Sequence, residues 1–185
     1  MLPINYALGP HSAVGQLDPN APWPFVTACP WAIGFYGMVR PVYVGATRQD
    51  LGGRLVNNRA EMHKGTPFLK YFRGLNAEGR QPIAKYVPIE TKAQAIELFG
   101  LDCLLNECAV ESGRRSNLVW TPAHVDAVLS DRPIADLVSE FGIGRHHFER
   151  LRRRYREVQR PENWFDIEEL RWWPIDDVYD LVGKV

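Results

Sequence analysis

The sequence predicts a mixed α/β protein of the α+β kind, with a small sheet-containing domain followed by an all-helical module. Three observations predict it. Residues 32–46 carry the β-branched and aromatic side chains typical of strands, and residues 95–105 have the apolar spacing of an amphipathic helix. Residues 133–157 repeat helical spacing on both sides of a glycine-containing break. A chain of 185 residues has room for one compact domain and one small appended module, each with its own modest core.

The strands are expected to form a β-hairpin in a short, antiparallel-containing sheet flanked by helices. Apolar runs at 32–39 and 42–46 are joined across Arg40-Pro41, where the proline marks a turn. Strand alternation lets Tyr36 and Tyr43 present two phenols on one surface. The glycines beside them would leave room for a ligand backbone to approach closely.

Two triplets, Gly34-Phe35-Tyr36 and Tyr43-Val44-Gly45, are followed nine residues later by Arg54. Two phenols beside an arginine favour phosphate chemistry, because the planar guanidinium can hold two oxygens of a phosphate. In this order the motifs resemble those of the GIY-YIG nucleases, in the variant spelling GFY and YVG. The resemblance covers roughly residues 32–119.

The resemblance implies a small α/β catalytic domain and a role for each matching position. The residues that match the motif tyrosines, the helix arginine, the metal-binding glutamate and the terminal asparagine are Tyr36, Tyr43, Arg54, Glu97 and Asn117. Asn58 stands one helical turn after the arginine, where many members carry a histidine, and His63 is a second candidate for a proton relay. Asp102 and Glu107 are alternatives to Glu97 as the metal ligand, and Glu107 is the better of the two.

Phosphodiester hydrolysis requires a nucleophilic water, a neutralised phosphate and a stabilised leaving oxygen. A hard cation, Mg²⁺ or Mn²⁺, bound through Glu97 and several waters would serve the leaving oxygen. A phenol has an ordinary pKa of about 10, so a tyrosine acts as a base only where positive charge favours its phenolate. We expect Tyr36 to reach the attacking water and Tyr43 to orient the site.

Residues 133–157 predict two helices joined by a tight turn. The apolar residues that repeat at helical spacing on the two sides of Gly142-Ile143-Gly144 are Ile134, Leu137, Val138, Phe141, Phe148 and Leu151. This pattern is typical of a helix-turn-helix, with Gly142 in the turn and Ile143 in the core. A preceding helix that begins at Thr121-Pro122 would complete a three-helix unit.

The charge of the second of these helices predicts binding to double-stranded DNA. Seven arginines lie between positions 145 and 160, against two acids, while the whole chain balances 22 basic and 22 acidic residues. We expect its first residues, Arg145, His146, His147 and Arg150, to enter a major groove. The residues expected to contact phosphates are Arg152, Arg153, Arg154 and Arg156.

The predicted boundaries are 1–31 for an extension that wraps the outside, 32–119 for the catalytic domain, 120–160 for the helix-turn-helix and 161–185 for a tail. The tail holds seven acids, two bases and five aromatic residues, so we expect it to pack on the body or a second subunit, with a strand or short helix near 175–182. Three cysteines indicate a reduced, cytoplasmic protein, and no segment predicts export or a membrane span.

The function expected from the sequence is site-specific, metal-dependent hydrolysis of DNA by a restriction-type endonuclease, with a homodimer on a symmetric site. The alternatives are a homing- or repair-type nuclease of the same family, and a DNA-binding regulator whose nuclease-like domain is inactive.

Overall fold

A computed structural model describes residues 17–29, 40–80, 83–99, 105 and 118–165 of the chain. The elements in chain order are β1 (Trp23–Cys29), β2 (Arg40–Thr47), α1 (Leu51–Ala60), α2 (Pro67–Ala77), β3 (Ile83–Tyr86), α3 (Lys92–Phe99), α4 (Pro122–Leu129), α5 (Ile134–Phe141) and α6 (Arg145–Val158), followed by a 3₁₀ turn at Pro161–Asn163. The fold is therefore mixed α/β, with a three-stranded antiparallel sheet and helices, as the sequence predicted.

The strand order of the sheet is β2-β1-β3, and β1 pairs antiparallel with both neighbours. Its side chains are buried on both faces, since Phe25 and Val26 have no exposed surface. The expectation that residues 1–31 wrap the outside is thus wrong for residues 23–29, which form the central strand. A strand covered on both faces lacks the alternation of polar and apolar residues that identifies a half-buried strand. With prolines beside it, such a segment is easily taken for an irregular extension.

The expected turn at Arg40-Pro41 is also wrong, because both residues belong to β2. Pro41 pairs with Ala28 beside a register shift between Thr27 and Ala28. A bulge relieves the ladder of a hydrogen bond there, and this is a position where a strand accepts proline. The first strand of the expected hairpin, residues 32–39, lies outside the described residues.

The two faces of the sheet carry different partners. Trp23 and Phe25 pack in one cluster with Leu51 of α1 and with residues of α4, α5 and α6. Val26 and Val44 pack on the opposite face in a cluster that includes Ala95 of α3. A third cluster joins β2 to α2. Alternation along β1 thus separates α3 from the helices at the end of the chain.

Helices α4, α5 and α6 form the three-helix unit that the sequence predicted. Helix α4 begins at Thr121, whose backbone N–H donates to Nδ1 of His124 at 3.0 Å in a capping box. Helix α5 ends at Gly142, whose φ of 67° is left-handed and favours glycine. Leu137 and Phe148 are fully buried between the helices.

The three-helix unit and the sheet share one hydrophobic core. A single cluster contains Trp23, Phe25 and Tyr86 of the sheet together with Leu137 and Phe148 of the helices. The expectation of two modules with separate cores is therefore not met. The interface is apolar and continuous, as in the interior of one domain rather than between two tethered domains.

The start of the C-terminal segment packs on the sheet. The backbone N–H of Phe165 donates to the carbonyl of Tyr86 at 3.0 Å, and the Phe165 side chain is buried. The segment expected near 175–182 lies outside the described residues. Among the helices that the structure describes, none combines the length and the apolar surface needed to cross a membrane.

Candidate functional site

Tyr43 lies on β2, opposite Thr27 of the central strand. Its half-buried ring stacks on Phe68 of α2, with ring centroids 4.1 Å apart and planes inclined by 20°. This contact fixes the direction of the phenol, because the ring is held on one face by another aromatic side chain. Tyr36 and Asn117, the other motif positions at the two ends of the resemblance, lie outside the described residues.

Gly45 has a packing role that differs from the ligand approach expected from the sequence. A Cβ added at this position would lie 2.3 Å from Cζ of Phe25 and 2.9 Å from Cε1 of Tyr43. The Phe25 ring therefore fills the space above the glycine. The glycine lets two aromatic rings meet over the strand, so that space is closed to a ligand backbone.

Arg54 lies on the sheet-facing side of α1. Asp50 caps this helix by accepting from the Gly53 N–H at 2.9 Å, and the Arg54 N–H donates to the Asp50 carbonyl at 3.0 Å. The Arg54 side chain is half-buried, and its Nε is shielded from solvent with no hydrogen-bond partner among the described residues. No carboxylate within the described ranges forms a salt bridge with Arg54, although its charge helps to lower the pKa of Glu61.

Asn58 lies one turn after Arg54 and is 2% exposed. Its Nδ2 is also buried and finds no acceptor in the described part of the chain. An amide has no titratable proton, so Asn58 can donate a hydrogen bond but cannot relay a proton. His63, the other relay candidate, is exposed in the loop after α1. The face of α1 thus presents two shielded donors that lack acceptors.

Glu97 is exposed on α3, a helix that packs against the sheet face opposite Tyr43. The structure therefore does not bring Glu97 beside Tyr43. No group of three or more histidine, cysteine, aspartate or glutamate side chains suited to a metal ion occurs among the described residues. The alternatives Asp102 and Glu107 lie outside those residues.

Glu157 of α6 is a site residue that the sequence did not identify. Its carboxylate accepts from the backbone N–H groups of Leu51 at 2.6 Å and Gly52 at 3.1 Å, and from the Tyr86 hydroxyl at 2.8 Å. Burial, with the adjacent Glu157 charge, raises the pKa of Tyr86 far above its ordinary value. This carboxylate and Asp50 together occupy the orphan donors at the start of the helix that carries Arg54.

Arg154 was expected to contact a DNA phosphate, but the structure buries it, with 1% of its surface exposed. Its guanidinium donates to the carbonyls of Pro19 at 3.0 Å, Ala21 at 2.7 Å and Thr47 at 2.9 Å. It also lies 3.5 Å from the centre of the Trp23 ring. Burial lowers the pKa of Arg154 to about 10, which still leaves it charged at neutral pH. Such a residue cannot reach a DNA phosphate without unfolding its surroundings.

Arg152 is half-buried and donates to the backbone carbonyl of Arg132, so it too is engaged within the protein. Arg153 and Arg156 are 68% and 59% exposed at their side chains. Arg153 lies 3.8 Å from Asp50, and Arg156 pairs with Asp131 at 2.7 Å. The pair of Arg156 with Asp131 is a surface ion pair, which is weak and exchanges readily for other anions, whereas Asp50 is buried and only its distant contact with Arg153 can be released.

The beginning of α6 has three exposed side chains among the four residues expected to enter a groove, and the fourth, His147, is half-buried. Arg145 is 77% exposed and pairs with Glu149 at 2.7 Å. The rings of His146 and His147 lie 3.8 Å apart, and Arg150 is exposed. Burial, followed by the neighbouring charges of His146 and Arg150, lowers the pKa of His147 below 6.5. The four residues expected to enter a groove are thus accessible to a partner.

A cleft of about 620 Å³ runs between α6 and the start of α1. Its charged lining consists of four arginines and three acids, which are Arg152, Arg153, Arg156, Arg160, Asp50, Glu149 and Glu157. The opposite charges nearly balance, so the cleft by itself is not a strong anion site.

Comparison with known proteins gives no match to this chain, whether with family models, curated proteins or solved structures. The assignment of function therefore depends on the residues and contacts described above.

Proposed function

We propose that this protein is a metal-dependent endonuclease of the GIY-YIG kind that hydrolyses double-stranded DNA at a specific site, most simply in restriction. The observation that carries the proposal is the half-buried Arg54 guanidinium, whose shielded Nε has no partner among the described residues. A folded protein seldom leaves such a donor unsatisfied unless a ligand supplies the acceptor.

A phosphate is the acceptor that best fits Arg54. A guanidinium in a partly desolvated site interacts with an anion more strongly than one in water, and its planar fork can hold two phosphate oxygens. The buried Asn58 amide, one turn further along α1, adds a second shielded donor on the same side of the helix. Tyr43, fixed by its stacking on Phe68, would orient the scissile group.

The metal is the part of the proposal that the described residues support least. A single carboxylate with several waters is enough to hold Mg²⁺ or Mn²⁺, and that ion would stabilise the leaving oxygen. Glu97 remains a candidate for this ligand, although it lies on the helix of the opposite sheet face. Asp102 and Glu107 are the alternatives.

DNA binding is assigned to the three-helix unit, which we interpret as a helix-turn-helix. The exposed residues at the start of α6 would contact base edges, while Arg153 and Arg156 would contact phosphates after releasing these weak contacts. Arg154 is excluded from this role by its burial. A two-fold dimer would place one such helix and one cleavage site on each half of a symmetric target.

The test is cleavage of a plasmid and phage-genome DNA panel with Mg²⁺ or Mn²⁺ by the native protein and by Arg54→Ala, Glu97→Ala and a control. Arg59→Ala is a suitable control, because Arg59 is an exposed arginine on the same helix. We expect discrete fragments from the native and control proteins, and a loss of about 100- to 1000-fold in rate for Arg54→Ala. Equal rates for Arg54→Ala and the native protein would contradict the proposal.

A DNA-binding regulator with an inactive nuclease-like domain is the second candidate. It is favoured by the separation of Glu97 from Tyr43 and by an amide at position 58 where the resemblance implies a histidine. Salt-sensitive binding to a defined DNA sequence, with no cleavage under any metal condition, would favour this alternative. Full activity of Glu97→Ala would instead move the metal ligand to Asp102 or Glu107.

A further inference from the structure

Helix α6 forms hydrogen bonds to both ends of the turn between β2 and α1. At the end of β2, Arg154 donates to the Thr47 carbonyl at 2.9 Å. At the start of α1, Glu157 accepts from the N–H groups of Leu51 and Gly52 at 2.6 and 3.1 Å. Arg154 and Glu157, two residues one helical turn apart on α6, therefore contact both sides of this connection.

The second of these contacts fixes the position of α1. The first N–H groups of a helix have no partner within it, and the positive end of the helix dipole favours a carboxylate there. Glu157 satisfies two of these groups while the Tyr86 hydroxyl donates to the same carboxylate at 2.8 Å. Charge-assisted hydrogen bonds of this geometry are short and directional, so they fix the start of α1 relative to both α6 and β3.

Arg54 follows Leu51 by three residues and lies in the first turn of α1, because its N–H donates to the Asp50 carbonyl. A shift or rotation at the start of the helix therefore moves the guanidinium directly. Arg54 has no ion pair among the described residues that would otherwise hold it in place. The position of its Cα is therefore set by the start of the helix.

We infer that Glu157 is a positioning residue for Arg54 and that α6 joins the DNA-contacting surface and the cleavage site in one rigid frame. This inference rests on the proposed nuclease function. Arg145 and Glu157 are twelve residues apart on the same helix, a span of about 18 Å at the usual rise per residue. Cleavage should therefore occur at one fixed distance from the bases that α6 contacts.

The test separates cleavage from binding. DNA affinity is measured by equilibrium titration in Ca²⁺, and the cleavage rate is measured in a single turnover at saturating protein. The proteins compared are native, Glu157→Gln, Glu157→Ala and Tyr86→Phe, with Glu162→Gln as the control. Glu162 is exposed in the nearby 3₁₀ turn, and its substitution removes the same charge. The positions of both cut ends are mapped for every variant.

We expect Glu157→Gln to slow cleavage about tenfold and Glu157→Ala about a hundredfold, as misplacement by about 1 Å can do. Affinity should change less than about twofold relative to Glu162→Gln, because the Glu157 carboxylate is engaged by α1 and Tyr86 inside the protein and the control removes the same charge nearby. The cut ends should spread over neighbouring positions. Tyr86→Phe keeps the ring and should show a smaller loss in the same direction, which covers the case in which Glu157→Ala does not fold.

A native protein that cuts DNA, with Glu157→Gln and Tyr86→Phe cutting at the native rate and positions, would overturn the inference alone. Equal losses of affinity and rate in these variants would also overturn it, since they would show a general structural role. A native protein that binds but does not cut would overturn the proposed function and the inference together. The two failures are thus distinguishable.

Discussion

Replacement of Arg154 by methionine tests whether this arginine belongs to the core or to the proposed DNA-binding surface. Methionine keeps the unbranched apolar stem and removes the charge and the donors. Three backbone carbonyls, those of Pro19, Ala21 and Thr47, then lose their donor. Only the bond to Thr47 is fully buried, so this carbonyl bears the largest penalty for remaining unsatisfied.

The magnitude follows from these contacts. An unsatisfied buried carbonyl costs about 1–3 kcal/mol, and the two partly buried carbonyls cost less because water can reach them. Loss of the contact with the Trp23 ring adds about 1–2 kcal/mol, while relief of the buried charge returns part of the total. We expect a net loss of about 3 kcal/mol in the free energy of unfolding, a large share of the usual 5–15 kcal/mol.

The assay is urea unfolding followed by tryptophan fluorescence. With a slope of about 2 kcal/mol per molar urea, the midpoint should fall by about 1.5 M. The salt dependence of the proposed DNA binding, measured where the variant is fully folded, should be unchanged. Arg156→Met, which removes an exposed arginine assigned to a phosphate, should lower that slope by about one and leave the midpoint nearly unchanged. An Arg154→Met protein with a native midpoint and a reduced salt slope would refute the burial argument.

Three further predictions concern single side chains. Gly45→Ala should destabilise the fold by about 1–3 kcal/mol in urea unfolding, because the added Cβ would lie 2.3 Å from the Phe25 ring. Phe25→Leu in the same chain should restore part of that loss, and additive losses from the two substitutions would contradict this reasoning. Tyr86 has a raised pKa in the folded protein, so its contribution to stability is present below pH 10 and is lost as the pH rises above 10. The melting temperature of Tyr86→Phe should therefore fall less steeply above pH 10 than that of the native protein. His147 has a lowered folded pKa, so its contribution to stability is present above pH 6.5 and lost as the pH falls. His147→Gln should melt with a shallower pH dependence below pH 6.5, and an identical slope would show that its environment does not disfavour the charge.

The helices at the end of the chain were predictable because their signals are local. Glycine at 142 and the apolar spacing around it are visible within one short window, and the structure places the left-handed turn at that glycine. The cap at Thr121 was likewise visible from the proline that follows it. Neither feature depends on contacts with distant parts of the chain.

The role of Arg154 was missed because charge counting does not distinguish buried from exposed arginines. One signal was available, since Arg154 follows Leu151 by three residues and therefore lies near the buried side of the helix. Its acceptors were not predictable, because the Pro19 carbonyl is 135 residues away in the sequence. Glu157 was missed for the same reason, since its partners Leu51 and Gly52 are 106 and 105 residues away.

The sheet was predicted in kind but not in its pairing. The window at 42–46 was placed in a strand, yet its described neighbour is β1, which the prolines at 22 and 24 made resemble an extension. Strand pairing joins segments by register rather than by local composition, so a nearby apolar run was preferred to the correct one. The separation of Glu97 from Tyr43 arises in the same way, because the packing face of a helix depends on the finished sheet.

One half of α6 packs on the rest of the protein, and the other half is the part proposed to contact DNA bases. This division limits how the proposed DNA target could change during evolution. In α6, the residues from Leu151 to Val158 include a buried arginine, a buried tyrosine and the carboxylate that caps another helix, and each has partners fixed elsewhere in the chain. Its residues from 145 to 150 contact little of the rest of the protein apart from the buried Phe148, and four of them are exposed. New specificities would therefore arise by substitution within the first two turns, whereas exchange of the whole helix between lineages would bring mismatched partners and cost the recipient its fold.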